Sequence, residues 1–243
     1  DLLMAYSLKK DLVIAAPLDE ASGDRRDHSG LGNNLTDNNT VTGTTGPSLL
    51  IPTASLFTAA TFEFLTVADN SYIKTGDIDY TINIWVNLTS LPALGDYFAL
   101  CTKYNTALIR EFQLLVRRTA GDVTRFFWEV FDGAESIGVV VADTFGTPAI
   151  ATWYQVLVYH SATSNQLGIS VNNGGVDTVA TTGPAGGSTA TLGLGRRDAA
   201  APFYLNGAEA MGLYWKRLPT TQERTWLYNN GSGRSLQQLM LAA

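Results

Sequence analysis

The sequence holds one cysteine and two histidines in 243 residues. Cys101 alone can build neither an internal disulfide framework nor a multi-cysteine zinc site. His28 and His160 cannot form a three-histidine metal centre. Charge is also scarce, at 16% of residues, below the usual quarter. The 16 Lys and Arg are outnumbered by 22 Asp and Glu, leaving a net charge of −6, and no basic run exceeds two residues. Such a chain has no phosphate-tracking surface, so a nucleic-acid partner is not expected. No apolar run approaches the roughly 18 residues of a membrane span. The longest, such as residues 139–142, are strand-sized, so membrane insertion is not expected. No secretory leader is visible, and because the chain opens on Asp1 rather than Met this says little about compartment. There is no Gly-x-Ser-x-Gly elbow and no phosphate-cradling glycine loop.

What is abundant is Thr, Val, Ile and aromatics, with 23 Gly and 45% hydrophobic residues. A chain of this size buries roughly 70% of its unfolded surface, so a real core is available. Residues 78–88 alternate: Ile78, Tyr80, Ile82, Ile84, Val86 and Leu88 share one face, Asp79, Thr81, Asn83, Trp85 and Asn87 the other. Period two predicts a strand with one buried face. Further strands are predicted over 97–102, 111–117, 124–131, 137–142, 153–160, 166–171, 176–181 and 191–194. Asn-Gly at the centre of Asn172-Asn173-Gly174-Gly175 predicts a type I′ hairpin. One helix is expected near 220–230, with Thr220 and Glu223 as a capping box and Gly231 as the stop. Short strands without a composition break read as one all-β sandwich. The Asn-x-Ser/Thr sequons at Asn34, Asn38, Asn87 and Asn230 are expected by chance in a chain this rich in Asn and Thr.

Several motifs carry a family resemblance. Leu18-Asp19-Glu20-Ala21-Ser22-Gly23, Asp27-His28-Ser29-Gly30 and Asn33-Asn34-Leu35-Thr36 come first. Tyr80-Thr81-Ile82-Asn83-Ile84-Trp85-Val86, Thr152-Trp153-Tyr154 and Val171-Asn172-Asn173-Gly174 follow. Gly212-Leu213-Tyr214-Trp215-Lys216-Arg217 and Leu227-Tyr228-Asn229-Asn230-Gly231 close the series. In this order they resemble the concanavalin A-like lectin/glucanase superfamily, in particular its laminin-G-like jelly-roll domains of secreted microbial and tailed-phage virion proteins. The resemblance implies two stacked antiparallel sheets with one short C-terminal helix over residues 12–236. Residues 1–11 would be an arm or lead-in strand, and 237–243 a tail. It also implies a non-catalytic surface-binding module, lectin-like, displayed on a virion or outside a cell. Its partner would be a glycan such as a cell-surface polysaccharide. The alternative is a structural virion or assembly protein that binds other subunits; a glycoside hydrolase is third.

The residues bear on these readings. Glycoside hydrolysis needs two positioned carboxyls. Glu129 and Asp132 fall on opposite faces of a continuous strand, and Asp132-Gly133 reads as a turn, so no catalytic pair is expected. Cys101 and His160 read as structural residues within apolar strands. Calcium is common in the resembled folds, and Asp19, Glu20, Asp24, Asp27 and Asp37 form an acidic N-terminal region. Ala210 stands where the family often places an Asp, so no calcium ligand is assigned. For carbohydrate, an aromatic face framed by amides is expected. Asn83, Trp85 and Asn87 on one strand face, with Trp128, are the candidate sugar-binding residues. With no Lys or Arg on that strand they suit a neutral polysaccharide, unless the strand bearing Arg110, Arg117 and Arg118 lies alongside.

Overall fold

The computed structural model describes residues 2–105, 109–199 and 202–240. In chain order, α1 (Leu2–Lys9) leads into β1 (Leu12–Ala16), β2 (Thr36–Asn38), β3 (Thr42–Thr45), β4 (Thr53–Phe57), β5 (Phe64–Val67) and β6 (Tyr80–Leu88). Then come β7 (Tyr97–Tyr104), β8 (Arg110–Arg118), β9 (Thr124–Phe131), β10 (Ser136–Val141), β11 (Trp153–Ser161), β12 (Gln166–Val171) and β13 (Val176–Ala180). The chain closes with β14 (Leu192–Leu194), β15 (Arg196–Arg197), β16 (Phe203–Tyr204), β17 (Gly207–Trp215), α2 (Thr221–Tyr228) and α3 (Leu236–Met240).

Two antiparallel sheets form a β-sandwich. One has seven strands, in the order β10-β9-β8-β7-β14-β5-β2. The other has eight, in the order β13-β12-β11-β6-β17-β4-β3, with β1 also on β17. β17 gives one edge to β4 at Gly207–Glu209 and to β1 at Gly212–Trp215. Between them its register against β6 shifts, and Met211 takes a left-handed φ of 50°. That bulge reverses which residues face inward, as an extra strand residue must.

The alternation of β6 packs as its sequence predicts. Tyr80, Ile82, Ile84, Val86 and Leu88 enter the core between the sheets, facing Phe112, Leu114, Phe126, Trp128 and Val130. The capping box at Thr220 and Glu223 is present, with both reciprocal hydrogen bonds. The helix it starts ends sooner than expected, at Asn229 with φ 48°. At the β12–β13 turn the positive φ angles fall on Asn172 and Asn173, one position before the expected Asn-Gly centre.

Three expectations are corrected. There is more than one helix, because the sandwich carries a third layer. Leu8, Leu227 and Leu239, one from each helix, pack with Trp85, Ala210, Leu213 and Trp215 on the outside of the eight-stranded sheet. The expected lead-in strand is instead a helix: Leu2–Lys9 form α1, whose Leu8 carbonyl accepts from Trp215 Nε1 at 2.6 Å. Most of the expected tail is α3, docked by Leu239; residues 241–243, like Asp1, lie outside the described residues.

Candidate ligand-binding face

The helical layer decides the fate of the sugar platform read from the sequence. Trp85 is 2% exposed and stacks on Tyr228 of α2, with ring centroids 6.1 Å apart. Asn83 is 1% exposed, and both its side-chain polar atoms lack a hydrogen-bond partner. Asn87 is partly exposed at the end of β6. Trp128 lies wholly inside the sandwich, where its Nε1 donates to the Tyr159 carbonyl at 3.1 Å. Asn83, Trp85 and Trp128 are therefore buried and offer no surface to a ligand. Arg110, Arg117 and Arg118 belong to the opposite sheet and do not lie alongside β6.

The outside of the seven-stranded sheet is different. Since Phe112, Leu114, Phe126, Trp128 and Val130 point inward, their alternates Gln113, Leu115, Phe127 and Glu129 point outward. One register row crosses all seven strands: Thr36, Thr66, Gly193, Thr102, Gln113, Glu129 and Val139. Five of the seven, Thr36, Thr66, Thr102, Gln113 and Glu129, carry polar side chains, so a polar row runs across this side of the sheet. Gln113 donates its amide to Glu129, is 4% exposed, and keeps an Oε1 with no hydrogen-bond partner.

The short β15–β16 ribbon stands over this track. Gly195, with φ 73°, turns the chain out of the sheet after β14, a conformation in which a Cβ is strained. At Gly193 a Cβ would meet the Arg196 carbonyl at 3.1 Å, so the bare glycine lets the ribbon approach. Thr102 Oγ1 donates to that same carbonyl at 2.8 Å and pins it.

Rings and guanidinium groups interleave on both sides of the track. Arg196 lies 4.5 Å from the Phe64 ring centre, and Arg197 lies 4.0 Å from that of Phe203. Arg110 and Arg197 both reach Tyr104, at 5.0 and 5.1 Å. Tyr97 and Phe203 close over Ala99, Leu115 and Phe127 in a small apolar cluster, with Arg117 against Tyr97. Asn38, Phe64, Thr66, Thr102, Tyr104, Arg196 and Asp198 line a pocket of about 230 Å³ here. Phe62 is 56% exposed, packs edge-on to Tyr204 of the ribbon, and has φ 59°. That left-handed φ closes the short 3-10 turn at Ala59–Thr61, where the Phe62 amide donates to the Ala59 carbonyl.

Other candidate groups are accounted for by packing. Asp132 accepts from the Ala134 and Glu135 amides in its turn, which holds its carboxyl below the usual range. His160 is buried and joined through Nδ1 to the Ile78 carbonyl at 2.8 Å. Burial pushes the Cys101 thiol well up, away from thiolate chemistry. In the acidic N-terminal region, Asp27 accepts from Ala15, Ser29 and Asn33 amides, and Asp37 from Gly23 and Val41. The buried Arg25 supplies positive charge among Glu20, Asp37, Asp19 and Asp24. Among the described residues no group of three His, Cys, Asp or Glu converges as metal ligands would, and no helix is long and apolar enough to cross a membrane.

No short-range pattern marks this candidate face in the sequence, because its residues come from seven strands and a ribbon. Two signals were present: Gln113 and Glu129 interrupt apolar runs, and Arg196-Arg197 precedes Phe203-Tyr204 at ribbon spacing.

Sheet order and layering define an antiparallel β-sandwich. The binding domain of Paraclostridial Mosquitocidal Protein 1 superposes with a TM-score of 0.70 at 15% identity, over 91% of this chain and 52% of that one. Domain 4 of AbnA, a GH43 extracellular arabinanase of Geobacillus stearothermophilus solved with arabinotriose, gives 0.62 at 14% identity, over 88% and 97%. The ligand-binding domain of botulinum neurotoxin serotype D, solved with N-acetylneuraminic acid, gives 0.62 at 9% identity, over 93% and 52%. The chain spans about half the length of these toxin domains. At such identities the likeness is one of fold. No protein-family description matches the chain, and no curated protein does.

Proposed function

We propose that this chain is a non-catalytic glycan-binding module of the concanavalin A-like, laminin-G-like class, acting outside a cell or on a virion. Its ligand face is the outside of the seven-stranded sheet. The observation that carries this reading is the polar track from Thr66 to Glu129, flanked by aromatic rings and roofed by the β15–β16 ribbon. Sugars need that combination: ring faces for C–H surfaces, and a few fixed amide, hydroxyl and carboxylate groups for their hydroxyls. The sandwich neighbours solved with arabinotriose and N-acetylneuraminic acid agree with such use of the fold. Fold alone does not choose a function, so the weight rests on the face.

A glycan array tests it. Wild-type protein is expected to bind a restricted set of glycans. Tyr204→Ala and Asn38→Ala should abolish that binding while melting within a few degrees of wild type. A blank array, or binding untouched by both variants, removes the reading. Reducing-sugar release that vanishes in Glu129→Gln replaces it with a hydrolase.

One observation favours the assembly reading as a second function. Helix α1 turns Leu2, Leu3 and Tyr6 to solvent at 65, 84 and 71% exposure. Light scattering that finds an oligomer dispersed by Leu3→Ser with Tyr6→Ser would establish a subunit contact there. A monomer at every concentration would dismiss it.

A further inference from the structure

The charge on the ligand face is the reverse of that of the whole chain. Against a net charge of −6, Arg110, Arg117, Arg125, Arg196 and Arg197 gather at this sheet and its ribbon. Arg196 is paired with Asp198 at 2.7 Å, and Arg125 lies 3.4 Å from Asp143. Arg110 and Arg197 have no carboxylate within ion-pair distance among the described residues. Glu129 is the carboxylate whose field reaches Arg197, and Gln113 already donates to it.

Geometry says what these two arginines leave free. Both guanidinium carbons lie about 5 Å from the centre of the Tyr104 ring, so they are at most about 10 Å apart. Arg110 also packs on Phe131, and Arg197 on Phe203. Stacking occupies the flat faces of a guanidinium and leaves the N–H donors around its edge. The Nε atoms of both side chains are buried and have no hydrogen-bond partner. The terminal Nη groups are not among the buried atoms, and it is these donors that can take a carboxylate or sulfate oxygen. On the neighbouring track Gln113 keeps a buried Oε1 with no hydrogen-bond partner.

We infer that the glycan bound on this face is acidic, with a carboxylate or sulfate group seated on the Arg110 and Arg197 guanidinium edges around Tyr104. The inference rests on the glycan-binding reading and narrows its ligand class. It also reverses the neutral preference suggested by β6, because the arginines belong to the sheet that actually presents a face. Arg196 orders the ribbon through Asp198, whereas Arg110 and Arg197 meet the anion.

Affinity electrophoresis separates the outcomes. The full chain is run through gels containing polygalacturonate, its carboxyl-reduced neutral counterpart, chondroitin sulfate, or polyglutamate. Retardation by polygalacturonate or chondroitin sulfate should be at least tenfold stronger than by the neutral polymer, and the stronger of the two identifies the anionic group. It should weaken with salt. Arg110→Gln with Arg197→Gln should lose at least tenfold, while Arg110→Lys with Arg197→Lys recovers part of it. Unchanged melting of both variants excludes unfolding. Equal retardation by the neutral polymer overturns the acidic ligand and leaves the glycan reading standing. Equal retardation by polyglutamate overturns it as sugar recognition. No retardation by any polysaccharide, with a blank array, overturns both.

Discussion

Trp85 shows how one residue's role turns on what covers it. It has the sequence position of a sugar platform, yet it lies beneath Tyr228 at 2% exposure. Trp85→Ala is therefore expected to cost about 3–5 kcal/mol and to lower the melting temperature by roughly ten degrees, with no direct loss of glycan contacts. Calorimetry checks the first expectation and the array the second; a melting temperature within two degrees of wild type would contradict the packing role. Glu209 is a second case. It is fully buried in the sandwich, neither carboxyl oxygen has a partner, and burial raises its pKa well above the ordinary carboxylate range. A raised folded pKa means that the group's contribution is complete below its unfolded value. It is lost as pH rises toward the folded value, by about 1.4 kcal/mol per pH unit between the two. Glu209→Gln does not titrate. The urea midpoint of wild type should therefore fall relative to that of Glu209→Gln between pH 5 and 8, and parallel midpoints would show that the carboxyl does not titrate in this way.

At the scale of elements, the helical layer is joined to the sheet by one charged staple. The Arg217 guanidinium donates to both Glu223 oxygens, at 2.9 and 2.8 Å, and to the Ser7 and Lys10 carbonyls at the end of α1. Ser7 Oγ donates to Glu223 as well, at 2.6 Å. Burial opposes the charge on Glu223, but these donors and the Thr220 amide hold its pKa down at about 2. The sign is opposite to that of Glu209. The stabilisation is present above the unfolded value and disappears as pH falls toward 2, and it amounts to about 2–3 kcal/mol. Glu223→Gln should melt well below wild type at pH 7, with the gap closing near pH 2.5. A gap of constant size across that range would mean that the carboxylate charge contributes nothing. A different staple fixes the sheet rim: Lys103 reaches Glu111 and Asp69 at 2.5 and 2.8 Å, and Thr75 and Ser188 fill the remaining positions on Glu111.

For the whole molecule, the arrangement is three layers: helices, an eight-stranded sheet, and a seven-stranded sheet whose outer face carries the β15–β16 ribbon over the middle of the polar track. The helices cover the eight-stranded sheet, whereas the outer side of the seven-stranded sheet carries only the two-stranded ribbon. Far-ultraviolet circular dichroism should be dominated by β-structure, with helix well under a quarter, because among the described residues the α-helices are Leu2–Lys9, Thr221–Tyr228 and Leu236–Met240. A larger helical signal would contradict the sandwich.

By itself the sequence determined what is local. Alternation placed Ile82, Ile84 and Val86 in the core because side chains repeat every second residue along a strand. The Thr220–Glu223 spacing set the start of α2 because both hydrogen bonds close within one turn. Only the tertiary structure decided which face meets solvent. The outer side of β6 is polar in pattern, but Leu8, Leu227 and Leu239 arrive from opposite ends of the chain to cover it. The track through Thr66, Gly193, Thr102, Gln113 and Glu129 exists only once five strands pair in register. Strand pairing joins residues far apart in sequence, and no short-range pattern records that choice.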